Sequence, residues 1–73
     1  MTHLGLRFQI ALRLAGQGSL DLFARIHDVD ASNLSAGTMG RRGLSDRLRK
    51  AVEEFIREEF ERHGEVLDLR GNP

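Results

Sequence analysis

At 73 residues, with 40% hydrophobic and 30% charged side chains, the chain reads as one folded domain, neither disordered nor fibrous. It has no cysteine, which excludes disulfide staples and thiolate metal sites and suits a reducing cytoplasm. Lys and Arg number 11, as do Asp and Glu, so no overall basic charge announces a nucleic-acid partner.

Leu4, Phe8, Ala11, Leu12 and Ala15 recur at three- and four-residue steps, with Leu6, Ile10 and Leu14 filling beside them. That spacing predicts a helix from Leu4 to Ala15, buried on a wide stripe, with Arg7 and Arg13 outward. The stretch is too short and too charged to span a membrane, and no signal-peptide cleavage pattern follows it. Gly16-Gln17-Gly18 ends it, because glycine accepts the left-handed turn that closes helices. Ser19 then reads as the N-cap of a second helix, with Asp21 well placed in its first turn. Leu22, Phe23 and Ile26 are its expected buried side, and Ala24 is small enough for a close helix crossing.

His27-Asp28-Val29-Asp30 reads as a tight turn, and Asp30 as the N-cap of a third helix starting at Ala31. Leu34 is that helix's one large apolar anchor. Gly40 closes the segment, and Arg41-Arg42-Gly43 forms a basic loop. Ser45 is placed to cap the longest helix, from Asp46 to His63, which ends at Gly64. Leu48, Val52, Phe55, Ile56 and Phe60 supply its apolar face, and Glu53, Glu54, Glu58, Glu59 and Glu61 the other. Beyond it, Glu65-Val66-Leu67-Asp68-Leu69-Arg70 is too apolar for an idle tail. It either packs back on the core or forms a short strand, which would need a partner strand. The expected fold is all-α: a compact domain of four helices, or five, over 1–64, followed by a tail at 65–73 that forms a short strand or a dimer contact.

The charge balance conceals an asymmetry. Residues 1–50 carry eight basic and four acidic side chains, a net +4, whereas residues 51–73 carry three and seven, a net −4. A basic half backed by an acidic, solvated one suits a polyanionic partner. The side-chain order from Ser19 to Gly40 adds to this. A small residue, Ala24, sits where two helices cross, a turn follows at Asp28, and Val29 and Leu34 pin the second helix on the first. This is the spacing of a helix-turn-helix, whose second helix enters the major groove.

Over residues 19–55, SLDLFARIHDVDASNLSAGTMGRRGLSDRLRKAVEEF, the chain resembles the lambda-repressor/Cro-like (XRE) helix-turn-helix regulators of phages, plasmids and mobile elements. Val29-Asp30-Ala31-Ser32-Asn33-Leu34-Ser35 resembles their turn and recognition-helix start, and Gly40-Arg41-Arg42 the ending after it. The resemblance implies a homodimeric transcriptional regulator on an inverted-repeat operator of double-stranded DNA, with repressor or activator action left open by the sequence. It places Ala31, Ser32 and Asn33 at base edges, with Ser35, Ala36 and Thr38 near the groove. Phosphate contacts would come from Arg41, Arg42 and Arg47, with Arg49 or Lys50 as further candidates. Asp28 replaces the glycine often found in such turns, which aspartate tolerates better than most residues. Gly37 stands where a second apolar anchor is usual and Ala36 where a long polar residue is frequent, which predicts a short or loosely held recognition helix.

Other chemistry is poorly served. His3, His27 and His63 are scattered without metal-ligand spacing, and the paired glutamates lie on a solvated helix face. Ser45 has no base at a suggestive distance in sequence, and Gly37-Thr38-Met39-Gly40 lacks the lysine and strand of a phosphate loop. An enzyme, a metal and a cofactor are therefore not expected. Phe55, Phe60, Val66, Leu67 and Leu69 exceed the needs of one small core and are the expected homodimer interface. Two further readings stand beside the DNA-binding regulator. One is an antiactivator-like protein-interaction module that keeps the scaffold without DNA reading; the other is an excision or architectural factor that bends DNA.

Overall fold

The computed structural model describes residues 3–64, which form four helices: α1 (His3–Ala15), α2 (Ser19–Ile26), α3 (Ala31–Thr38) and α4 (Asp46–Arg62). No strand occurs among the described residues. The expected all-α architecture is present, with the start of α1 and the end of α4 each displaced by a single residue. The tail at 65–73, with Val66, Leu67 and Leu69, lies outside the described residues.

α1 is the hub. It packs on each of the other three helices, most extensively on α4, while α2 packs on α3. Gly5 and Ala11 are buried on α1, and small side chains at such positions let helix backbones approach closely. Phe8 completes that face at 2% exposure. It forms edge-to-face contacts with Phe23 at 5.5 Å and Phe55 at 5.7 Å, and those two rings meet each other at 5.2 Å. Each such pair adds about 0.5–1.5 kcal/mol beyond the burial of its rings. Leu34, Val52 and Ile56 fill the rest of the core, each at 1% exposure or less.

This packing corrects several expectations. Phe55 belongs to the ring triangle and Phe60 is half-buried against the same cluster, so both serve the core of the single chain. A core this small recruits the late aromatic residues of α4. Conversely, Leu22 and Ile26 of α2 are 55% and 67% exposed, and Leu6 and Ile10 of α1 are 50% and 40% exposed. In α2 the inward direction is taken by Phe23 and Ala24, and an eight-residue helix presents only one stripe to its neighbours.

Helix ends also differ from expectation in part. Gly18, in the left-handed region at φ 82°, occupies the N-cap position of α2, and Ser19 is its first helical residue. The Ser19 hydroxyl instead donates to the carbonyl of Leu12 at 2.8 Å, a second bond to an acceptor near the end of α1 that the Gly16 N–H already meets at 3.0 Å. Asp30 holds the N-cap position of α3, with its carbonyl accepting from the Leu34 N–H at 2.9 Å, but its side chain makes no capping bond. Ser45 caps as its sequence position suggests, its hydroxyl oxygen accepting from the Leu48 N–H at 3.2 Å.

Leu34 is the only large side chain by which α3 reaches the core. Leu34→Ala is expected to cost about 2–5 kcal/mol through lost burial and a residual cavity. Urea unfolding would check this against the exposed control Ile26→Ala; equal midpoints for the two variants would refute Leu34 as the anchor.

Candidate nucleic-acid interface

The α2–α3 turn is built from a backbone requirement. Asp28 has φ 55°, the one positive φ outside glycine among the described residues. Its N–H donates to the Arg25 carbonyl at 3.2 Å, and the next N–H, of Val29, donates to Ala24 at 2.9 Å. These two bonds make a Schellman motif, which satisfies the last carbonyls of α2 and reverses the chain into Asp30. Val29, following the left-handed residue, packs against the core.

α3 ends in the same way. Gly40 has φ 83°, its N–H donates to Gly37 at 3.2 Å, and the Arg41 N–H donates to Ala36 at 2.9 Å. The second Schellman motif turns the two arginines back beside the helix they follow. Arg42 donates through its guanidinium to Oδ1 of Asn33, joining the basic loop to the first turn of α3. The Arg41 guanidinium lies 3.2 Å from the sulfur of Met39. Both arginines are exposed.

On α3 itself, Ser32 and Asn33 are exposed, while Ala31, Ser35 and Ala36 are half-buried. Ala31, Ser32, Ser35 and Ala36 line one shallow concavity together with Leu20 and Arg41. Arg47 is exposed at the start of α4. Thr38 does not belong to this surface. It is 3% exposed and its hydroxyl donates to the Ser35 carbonyl at 3.0 Å, because the last turn of α3 rotates it inward.

Gly37 is explained by a residue that sequence reasoning passed over. It is buried, and a Cβ there would stand 2.7 Å from Cδ1 of Leu44. Leu44, arriving from the loop before α4, occupies the space that an apolar side chain at position 37 would fill. The anchor is supplied from outside the helix, and α3 runs on to Thr38 instead of stopping at the glycine. The available signal was a lone leucine in an otherwise basic and glycine-rich loop.

Among the described residues, no group of three or more His, Asp or Glu side chains is arranged to hold a metal ion. No helix there is long and apolar enough to cross a membrane.

The left-handed turn makes a stability prediction. Asp28→Gly should stabilise the domain by about 0.5–1 kcal/mol, and Asp28→Val should destabilise it by about 1–2 kcal/mol. Thermal melts of both variants test this; a glycine variant less stable than the parent would mean that the side chain, not the backbone, is what matters at position 28. Compared with protein-family models, curated proteins and solved structures, the chain matches none.

Proposed function

We propose that the chain is a sequence-specific DNA-binding regulator, cytoplasmic and homodimeric, that sets the first turn of α3 into the major groove at each half of an inverted repeat. One observation carries the reading: exposed Ser32 and Asn33 share a surface with Arg41 and Arg42, and left-handed turns bracket the helix that bears them. The order of residues from Ser19 to Gly40, with Ala24, Asp28, Val29 and Leu34 at helix-turn-helix spacing, supports the same reading.

The division of labour follows from side-chain chemistry. Asn33 can present an acceptor and a donor to N6 and N7 of adenine. Its Oδ1 has two lone pairs, so accepting from Arg42 does not prevent it accepting from a base. Ser32 reads either base class permissively, and the small side chains of Ala31, Ser35 and Ala36 let the helix lie close to the groove. The methyl groups of Ala31 and Ala36 suit the thymine methyl. Affinity comes from phosphate contacts by Arg41, Arg42 and Arg47, which position the domain without specifying sequence. Zero net charge is compatible with this because the cations concentrate in the half that carries α3.

Fluorescence anisotropy on the promoter of the chain's own gene, across a range of salt, tests the reading. Arg41→Ala with Arg42→Ala should weaken binding to all sequences alike and lower the salt slope by about 2 per protomer. Asn33→Ala should relax preference at one position of each half-site, a discrimination of about 1–3 kcal/mol. A double arginine variant with unchanged affinity and slope would overturn the docking. Absence of any specific complex at low salt would favour the protein-interaction module instead.

A further inference from the structure

Among the described residues, large apolar side chains stand exposed at four positions, and they form two pairs: Leu6 and Ile10 on α1, Leu22 and Ile26 on α2. Members of each pair are four residues apart, so each makes a short apolar ridge on its helix. The core does not need them, and a domain of this size gains from covering such surface.

The α2 ridge borders a groove. α2 and α4 meet through the Phe23–Phe55 ring contact rather than backbone to backbone, and between them lies a cleft of about 500 Å³. Leu22, Ile26 and Phe55 line it, and Glu54 and Glu58 stand exposed on its α4 side. Glu59 lines it as well, at 4% exposure. Arg62 donates to Oε2 of Glu59 at 2.8 Å, while Oε1 accepts no hydrogen bond and lies 3.6 Å from Nε2 of His63. Arg62 lines the groove too but is engaged by Glu59, so the groove is apolar with Glu54 and Glu58 as its anionic side.

Its chemical complement is a helix bearing two apolar side chains one turn apart, flanked by cations. The outer face of α1 has this composition. At 100° per residue, Leu6 and Ile10 lie between Arg13 on one side and Arg7 on the other. Arg13 is exposed and Arg7 half-buried. We propose that the outer face of α1 in one copy docks into the α2–α4 groove of a second copy of this chain. The contact pairs Leu6 and Ile10 with Leu22 and Ile26, and sets the arginines against Glu54 and Glu58. No residue of α3 or of the 39–45 loop lines the groove, so the contact leaves Ser32, Asn33, Arg41 and Arg42 uncovered. Where both contacts form between the same two copies, the pair closes about a two-fold axis; otherwise further copies add. The inference draws only on the homodimer part of the proposed function; it keeps Phe55, which lines the groove, within that interface and leaves Phe60 outside it.

The contact is between unlike surfaces, which a mixing experiment detects. Sedimentation equilibrium of the full chain should show association below about 100 μM. Ile10→Glu places an acid opposite the acidic groove, and Ile26→Arg places a cation opposite Arg7 and Arg13. Each alone should raise the dissociation constant by about tenfold or more while leaving far-UV circular dichroism unchanged. An equimolar mixture of the two should associate again, because an intact α1 face then meets an intact groove. A wild-type chain that stays monomeric overturns the proposal and leaves the groove to a foreign basic helix. So does a defect confined to one variant, or a mixture that stays monomeric, either of which indicates like-with-like packing. Half-site DNA binding, measured on the same variants, tests the DNA reading independently.

Discussion

The surface that distinguishes this domain hangs on a helix with one large buried side chain. α3 is eight residues long and carries no charged residue, so no ion pair within it stabilises it in isolation. Leu34 holds it to α1 and the core, and a left-handed residue stands in the turn before it and another just beyond its end. Asp28 aims the chain into the helix, Gly40 folds it back, and Leu44 fills the notch over Gly37. Everything exposed on α3 inherits its position from these few constraints. The arginines are near Asn33 because a backbone turn, rather than an attraction between side chains, delivers them there.

The same economy explains what is left outside. The core closes around Phe8, with rings from α2 and α4 and small residues where α1 approaches its neighbours. Because Phe23 and Ala24 take the inward stripe of α2, the leucine and isoleucine beside them face out. Because Phe55 bridges toward α2 by its ring, the backbones of α2 and α4 stay apart and a groove remains. The exposed ridges are thus consequences of how a small core was assembled, and they give the molecule two complementary surfaces distinct from α3.

In the proposed function the two surfaces divide the work of a regulator. A recognition helix whose first turn offers a serine and an asparagine has little sequence-independent affinity of its own, so cations at its end must supply it. Short sites with few direct readers gain specificity when two copies read two half-sites. Self-association is then part of recognition, and a contact that leaves α3 uncovered is the kind such an arrangement requires.

Much of the fold is legible in the order of residues. The three- and four-residue recurrence from Leu4 and again from Leu48 marks α1 and α4, Ser45 marks a helix start, and glycines mark the stops. Asp28 in the turn and Leu34 as anchor are also local facts, since turn geometry and helix period depend on nearest neighbours in the chain. What only the tertiary structure decided are choices between faces. Period alone does not say which of two adjacent apolar residues in a short helix turns inward, so Leu22 and Ile26 were expected inside and lie outside. Nor does it show that Thr38 is rotated into the core, that Phe55 completes a ring triangle, or that Leu44 replaces an anchor at Gly37. Each depends on which partner arrives from a distant part of the chain, and burial is settled by that partner, not by the residue's own hydrophobicity.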